Sequence, residues 1–279
     1  MIKPNELKKF ILTLETLSPV SLSPRESYCF YKNIDDDKVS FEKIYSKASV
    51  IDKINILYTF YQYGEYEEFN PYNADYYVPG SSIKGALRTP RATKCALGCD
   101  EIYIDDAKVC QSDLGLRVIN KLQFAKNDET SDKIIRFKPF FENVGVEMLN
   151  AGVTVDVTIY AVNKKIIEKI IHIKEKQTKE QLAKADEIVK ELITKAEQKK
   201  EEAVDTKDWE VAIDQLSSFQ KKLAQFEGEG VFFLGGYKGE LFSHKEVKSI
   251  APNEYQGTFY QDAEGNPFGL VKLSFKNSE

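Results

Sequence analysis

The sequence is poor in the side chains that most often carry out acid–base or metal chemistry. Its 279 residues include two histidines, His172 and His244, and neither lies in a motif that supplies a second catalytic group. Three of its four cysteines, Cys95, Cys99 and Cys110, lack the paired C-x-x-C spacing of a zinc site. A general acid–base pair is therefore not visible, and we expect no catalytic residue, no bound metal and no cofactor.

Long apolar runs are missing as well. No stretch reaches the roughly 18 apolar residues needed to span a membrane. The first ten residues, MIKPNELKKF, are polar and contain no apolar segment of the kind found in signal peptides. We expect a cytoplasmic protein without membrane contact. Its 42% hydrophobic content is that of a globular protein with a core.

The charge is low overall and uneven along the chain. The net charge of −5 argues against a protein that coats nucleic acid non-specifically. Residues 79–95 nevertheless contain no acidic side chain and four basic ones, Lys84, Arg88, Arg91 and Lys94. This window therefore has a charge of +4. A nucleic-acid contact should therefore be a local groove on an acidic body.

The stretch YYVPGSSIKGALR, residues 76–88, contains an apolar run, a Pro-Gly turn, two serines and a helix-like segment. Ser81 or Ser82 is predicted to be the helix N-cap. The first turn of a helix has unpaired N–H groups and a positive dipole end, so it can bind a phosphate. Lys84 would add charge there, and Arg88 lies one turn further on the same face. An ordinary capped surface helix fits these residues equally well.

A glycine-rich segment, GEGVFFLGGYKGE, occupies residues 228–240. Glycine allows the backbone to approach a ligand closely, so Gly235 and Gly236 are candidate contacts. Tyr237 offers a stacking face and Lys238 a positive charge. The Walker and G-x-G-x-x-G patterns are both absent, and a plain tight turn is the alternative interpretation.

Two segments have helical periodicity. Apolar residues between Phe41 and Tyr63 predict one helical segment at about 38–66. A helical hairpin is predicted at about 174–227, beginning at a capping box formed by Thr178 and Gln181 and continuing in a second helix from about Asp205.

Strands are predicted for the remaining β-branched and aromatic runs, at residues 10–17, 101–104, 109–110, 115–124, 133–141, 144–149 and 153–162 and after residue 269. This mixture favours an α+β fold.

Four segments, in this order, resemble the RAMP superfamily of CRISPR effector proteins: LTLETLSPVSL at 12–22, VPGSSIKGALR at 78–88, EMLNAGVTVDVTIY at 147–160 and GEGVFFLGGYKGE at 228–240. The second of these is close to the most specific signature of the superfamily. The ending PFGLVKL, together with LETLSPV near the start, is most similar to the subunit that caps the backbone filament of type III-A (Csm) complexes.

The resemblance implies a single RAMP domain over residues 1–279, with a ferredoxin-like (RRM-like) core and the two helical insertions. It implies a non-catalytic subunit that grips the 3′ part of a CRISPR RNA. Its partners would be the CRISPR RNA, the target RNA, and the other RAMP backbone and small subunits. The implied RNA-binding residues are Ser81, Ser82, Lys84, Arg88, Arg91, Gly235, Gly236, Tyr237 and Lys238. The superfamily usually has a glycine-containing turn after the first strand, where this chain has Ser23-Pro24.

Two other functions fit parts of the sequence. The acidic run Asp35–Asp37 could hold Mg²⁺ and cut target RNA, although such a run is more typical of a solvated turn. The helical hairpin could instead serve a protein–protein adaptor that makes no RNA contact.

Overall fold

The structure is a computed structural model, and it describes residues 6–22, 29–35, 54–63, 74–88, 102–126, 133–226, 228–244, 250 and 254–276. Within these ranges the chain is a mixture of mainly antiparallel sheets and helices, which confirms the predicted α+β class. The strands are β1 Lys8–Thr16, β2 Cys29–Tyr31, β3 Ile56–Tyr58, β4 Tyr76–Val78, β5 Tyr103–Ile104, β6 Ala107–Val109, β7 Leu114–Arg117, β8 Asn120–Lys126, β9 Lys133–Pro139, β10 Val144–Leu149, β11 Thr154–Ala161, β12 Val231–Phe233, β13 Tyr260–Gln261 and β14 Leu270–Phe275. The helices are α1 Gly80–Ala86, α2 Lys164–Glu202, α3 Lys207–Leu223 and α4 Glu240–Ser243.

The main sheet has five strands in the order β12-β14-β1-β11-β5, and all neighbouring pairs are antiparallel. Alternation along β1 explains its two faces, because successive side chains of a strand point in opposite directions. Leu12 and Leu14 are fully buried, whereas Ile11 on the opposite face is exposed. The predicted strands at 10–17 and 153–162 are confirmed, and the structure shows that they pair with each other.

Helices α1 and α2 cover the buried face of this sheet. Ile83 of α1 and the first turns of α2, through Ile167 and Ile170, belong to the same core as Leu12 and Val157. Because α1 follows β1 and α2 follows β11 along the chain, the segments that connect the strands also close the core.

The helical hairpin predicted at about 174–227 is present, but its first helix begins earlier. Helix α2 starts at Lys164, where the side chain of Asn163 accepts a hydrogen bond from Ile166 N–H at 3.2 Å. Thr178, predicted to be the cap, is buried in the middle of the helix. The capping box was misleading because Gln181 has a different role: its amide donates to the carbonyl oxygen of Leu241 at 3.0 Å.

The hairpin packs on a second layer formed by β8 and β9. Phe219 of α3 is fully buried, with its ring 5.1 Å from Phe137 and 5.2 Å from Phe259. Arg136 of β9 forms an ion pair with Asp208 at the start of α3, at 2.7 Å. Apolar burial and this ion pair therefore fix the hairpin to the body.

The helix predicted at about 38–66 is wrong for the part that the structure describes; residues 36–53 and 64–66 lie outside the described ranges. Residues 56–58 form β3, which pairs in parallel with Val144–Val146 of β10 and antiparallel with β2. Every residue of β10 is buried, so this strand needs partners on both edges. Leu57 is buried in this strand, as it would also be on the apolar face of a helix. The spacing of apolar residues therefore did not distinguish a strand from a helix here.

Among the described helices, none combines the length and the apolar character that a membrane span requires.

Candidate nucleic-acid interface

The helix of the PGSSIKG stretch begins at Gly80 with Pro79 as its N-cap, so the prediction of Ser81 or Ser82 as the cap is wrong. Proline has a fixed φ and is well suited to a position just before a helix starts. The Pro79 carbonyl accepts from Ser82 N–H at 2.9 Å and Ile83 N–H at 3.2 Å. Both serines therefore lie inside the helix, Ser81 exposed and Ser82 half-buried.

A carboxylate of the protein occupies the start of this helix. Gly80 N–H donates to Asp106 Oδ1 at 2.8 Å, and the other oxygen of Asp106 accepts from the Tyr63 hydroxyl at 2.8 Å. A Cβ at position 80 would collide with the carbonyl of Ile104. The start of α1 is thus packed against β5 and β6, and the expected phosphate seat at Gly80 is already filled by Asp106.

Of the predicted basic residues at and after α1, Lys84 and Arg88 are described. The ammonium of Lys84 lies 5.1 Å from the ring centroid of Tyr103 on the neighbouring strand β5, which is a cation–π contact. Arg88 is exposed just after the helix. Arg91 lies outside the described residues.

The glycine-rich loop rests on the segment that follows β1. Gly236 N–H donates to the Ser21 carbonyl at 2.6 Å, and a Cβ at Gly235, whose φ is +86°, would collide with that carbonyl. These two predicted contact residues are therefore required by the packing of the protein itself. The next two residues, Tyr237 and Lys238, are half-buried.

Lys238 nevertheless brings the two predicted segments together. It lines a cavity of about 90 Å³ whose wall on the other side includes Gly85 and Ala86 of α1. The remaining walls come from α2, β12 and α4: Lys174, Gln177, Thr178, Gln181, Phe232, Phe233, Phe242, Ser243 and His244. We call this space the lysine cavity.

The described lining of the lysine cavity contains basic side chains and no carboxylate. Lys174 is 6% exposed, and its ammonium donates to Gln177 Oε1 at 3.0 Å. Burial, and secondly the charge of Lys174, lower the pKa of Lys238 to about 8. His244 adds a third basic side chain, and its Nε2 lies 3.4 Å from Glu240 Oε1. The cavity is therefore suited to an anion.

Gly85 contributes open space on the α1 side. It lies within a helix, where glycine is less favourable than alanine by about 1 kcal/mol. Among the described residues, a Cβ at this position would meet no atom within 4 Å, and no positive φ requires glycine there. The packing of the described part of the chain therefore does not require this glycine.

A second space, which we call the aromatic groove, adjoins the first. It has a volume of about 410 Å³ and shares Lys238 and Ser243 with the lysine cavity. The rings of Phe140 and Tyr260 line this groove. The ammonium of Lys121 lies 4.8 Å from the ring centroid of Phe140 and 5.9 Å from that of Tyr260. Tyr237 forms a further wall, its ring 6.3 Å from Tyr260. Lysine next to aromatic faces is a combination that suits single-stranded nucleic acid.

No sequence pattern pointed to Lys174 or Lys121 as cavity residues. Lys174 lies within a run of balanced charges on α2, where each lysine has the pattern of a solvated residue. The structure buries it because the first turns of α2 pack on the main sheet and α4 covers the next turns.

The acidic run at 35–37 is described only at its first residue. The Asp35 carboxylate accepts from Tyr31 N–H at 2.8 Å, as expected for a turn. Asp36 and Asp37 lie outside the described ranges, and in those ranges no three acidic, histidine or cysteine side chains are grouped as a metal site would need.

Comparisons with known proteins returned no matching protein-family model and no matching curated protein. Among solved structures, a chain of the cryo-EM structure of a Csm–crRNA–target RNA ternary complex in a type III-A CRISPR–Cas system is similar to 96% of this chain and to 100% of its own length. The two share 12% identity and a TM-score of 0.46. A chain of the type III-B Cmr-β complex bound to cognate target RNA is similar to 58% of this chain and 50% of its own, with 16% identity and a TM-score of 0.28.

Proposed function

We propose that this chain is a non-catalytic CRISPR RNA-binding subunit that caps the backbone of a type III-A (Csm) RNA-guided interference complex and grips the 3′ part of the guide. One observation carries the proposal: the two segments with the strongest sequence signatures, α1 and the glycine-rich loop, line the same cationic cavity. We propose that the contact is formed in the cavity by Lys238, Lys174 and the backbone around Gly85, and beside it by Lys84 and Arg88 of the same helical segment.

The distribution of charge supports a local RNA contact. The chain as a whole carries −5, so a long phosphate backbone would be repelled by most of its surface. The lysine cavity places two ammonium groups in one small volume, where low solvent exposure strengthens their attraction for a phosphate. A subunit that holds one short part of an RNA needs such a local site.

The order of the main sheet supports the RAMP assignment. Strands β14-β1-β11-β5, with α1 connecting β1 towards β5 and α2 following β11, have the arrangement of a β-α-β-β-α-β unit. We therefore propose a ferredoxin-like core, to which β12 and the helical hairpin are added. The extent of the RAMP domain over residues 1–279 stays a prediction.

The capping role rests on the resemblance of residues 14–20 and 267–273. These two stretches lie side by side: Gly269 N–H donates to the Pro19 carbonyl at 2.8 Å and Leu270 N–H to Ser18 Oγ at 2.9 Å. Most residues of both stretches are buried within the chain, so the capping role is proposed on the sequence resemblance alone. The target RNA, the other RAMP backbone and small subunits, and a cytoplasmic location belong to the same proposal.

The test is to assemble the complex with this subunit and to map the RNA that it protects from nuclease. We expect protection of the 3′ part of the guide, and less retained RNA after the double charge reversal Lys84→Glu with Arg88→Glu. A matched reversal on an exposed face of α2, Lys195→Glu with Lys199→Glu, should retain RNA normally. Unchanged RNA retention in the first variant, or no footprint under this subunit, would contradict the proposal.

A further inference from the structure

Helix α1 is short, and its own cap offers no acceptor to its first turn. It has seven residues, Gly80–Ala86, fewer than a helix needs to be stable in water by itself. Its N-cap, Pro79, has no side-chain oxygen that could accept a hydrogen bond from the first turn. Asp106, in the connection between β5 and β6, supplies this acceptor, because its Oδ1 accepts from Gly80 N–H at 2.8 Å. A negative charge at this end also complements the helix dipole.

The carboxylate of Asp106 is held at its second oxygen as well. The Tyr63 hydroxyl donates to Oδ2 at 2.8 Å. The ring of Tyr63 in turn stacks on that of Tyr77 in β4, with the centroids 4.0 Å apart and the planes 13° from parallel. Because β4 leads into α1 through Pro79, Asp106 ties the start of the helix to the strand that precedes it.

The segment that ends at Asp106 contacts α1 a second time, one turn further along. Gly80 and Lys84 are four residues apart and lie on the same face of the helix. A Cβ at Gly80 would collide with the Ile104 carbonyl, and the ammonium of Lys84 lies 5.1 Å from the ring centroid of Tyr103. The segment therefore holds α1 at two points, and this arrangement fixes the rotation of the helix about its axis.

The fixed helix affects how well Lys84 can bind a phosphate. A lysine side chain that moves freely loses rotamer freedom when it binds, and this loss weakens binding. The ammonium of Lys84 is already held against Tyr103, so part of the loss occurs on folding. If α1 were to rotate or fray at its first turn, Lys84 would lose this advantage. The hydrogen bond at Gly80 is therefore connected to the orientation of Lys84.

We propose that Asp106 is a positioning residue for RNA binding: it holds the start of α1 and thereby keeps Lys84 in the orientation that contacts a phosphate. The inference rests on the proposed function, in which Lys84 contacts the RNA. Asp106 itself does not contact the RNA, since its charge would repel a phosphate at the first turn of the helix. It acts through α1.

The test uses the full-length chain and a short single-stranded RNA with the 3′ sequence of the guide, and fluorescence anisotropy gives the dissociation constants. Asp106→Ala should weaken binding about two- to tenfold, the effect of one lost hydrogen bond on an equilibrium constant. Asp106→Asn should bind within about twofold of the wild type, because an amide can accept from Gly80 N–H and donate to the Tyr63 hydroxyl. Tyr63→Phe, which keeps the ring and removes only the hydroxyl, should weaken binding in the same direction as Asp106→Ala.

Asp105→Ala is the matched control for charge. It removes the same charge from the neighbouring residue, whose carboxylate accepts from the Tyr160 hydroxyl at 3.1 Å. We expect Asp105→Ala to bind RNA at least as tightly as the wild type, and Asp106→Ala to bind it more weakly. If Asp106 acted on RNA through its charge alone, both alanine variants would bind more tightly than the wild type, and this result would overturn the inference.

A double-mutant cycle with Lys84→Met distinguishes positioning from a general loss of structure. Lys84→Met should weaken binding about tenfold. If Asp106 acts through Lys84, Asp106→Ala should weaken binding by less than about twofold in the Lys84→Met background. Equal weakening by Asp106→Ala in both backgrounds would overturn the inference. Urea denaturation shows which variants are folded, and Tyr63→Phe replaces Asp106→Ala in the cycle if that variant does not fold.

The outcomes separate this inference from the proposed function. A wild-type dissociation constant for Asp106→Ala, together with weaker binding by Lys84→Met, would overturn the positioning role and leave the RNA contact of α1 in place. Unchanged binding by Lys84→Met would contradict the α1 contact of the proposed function, and the inference with it.

Discussion

At Lys238 the requirements of folding conflict with those of anion binding. Its pKa is lowered from 10.5 to about 8, chiefly because burial disfavours the charged form and secondly because Lys174 repels it. At pH 7 the folded protein must hold this ammonium charged in an unfavourable place. Binding of an anion reverses the disadvantage, so the residue makes physical sense as part of a binding site.

Lys238→Met should therefore stabilise the free protein. The buried ammonium destabilises the folded wild type fully below pH 8. This destabilisation decreases as the pH rises from 8 towards 10.5 and is absent above 10.5. We expect the variant to gain about 1–2 kcal/mol in the free energy of unfolding at pH 7, an amount reduced for the partial exposure of the side chain. Urea denaturation of both proteins at pH 7 and at pH 10 checks this, and a wild type more stable than the variant at pH 7 would contradict it.

Glu147, a buried carboxyl on β10, makes a second pH-dependent contribution. Burial raises its pKa from 4.5 to about 8, although Phe60 N–H, which donates to it at 2.7 Å, acts in the opposite direction. Below pH 4.5 the group is neutral in both states. Between 4.5 and 8 the unfolded chain ionises while the folded protein keeps its proton, so stability falls as the pH rises.

Glu147→Gln removes this titration and keeps an oxygen that can accept from Phe60 N–H. We expect the variant to match the wild type near pH 5 and to exceed its stability by about 1–3 kcal/mol at pH 8. Thermal or urea unfolding at the two pH values measures the difference. A difference that is the same at both would show that Glu147 does not titrate in this range.

At the scale of elements, the hairpin is fixed to the body by a small number of buried side chains. Phe219→Ala on α3 removes a ring packed between Phe137 and Phe259 and should cost about 3–5 kcal/mol. Val211→Ala on the same helix, where the side chain is 39% exposed, should change stability by less than about 0.5 kcal/mol. Chemical denaturation measures both, and a similar small effect for the two variants would mean that the hairpin does not pack on β8 and β9.

The elements that the sequence predicts well are those with one buried face. Alternation in β1 and β11 and the period of 3.6 residues in α3 follow directly from which side chains are buried. The segment around Leu57 was misread because β3 is three residues long and its pairing with β10 joins distant parts of the chain. Periodicity records local burial and carries no information about such partners.

The site was predictable only in part, for a related reason. The glycine-rich loop and the PGSSIKG helix, singled out separately by their motifs, both line the lysine cavity. The roles of individual residues could not be predicted. Gly235 allows the loop to pack against the Ser21 carbonyl, and Asp106 accepts a hydrogen bond from Gly80 N–H at the start of α1. Each of these contacts joins residues that are far apart in the sequence.

At the scale of the whole molecule, the chain is acidic, and the lysine cavity is a space in its described part whose lining holds basic side chains and no carboxylate. The main sheet with α1 and α2 supplies one side of the cavity, and the glycine-rich loop with α4 supplies the other. The position of the site between these layers explains why its key lysine, Lys174, belongs to the helix that spans both cores.

If the cavity between α1 and the glycine-rich loop binds RNA, as we propose, its two lysines should determine the affinity. The measurement is the dissociation constant of a short RNA with the 3′ sequence of the guide, for the wild type and for the double variant Lys174→Met with Lys238→Met. Since both substitutions remove buried charge, the variant should fold. We expect the double variant to bind this RNA about ten- to a hundredfold more weakly than the wild type. An unchanged dissociation constant would contradict it.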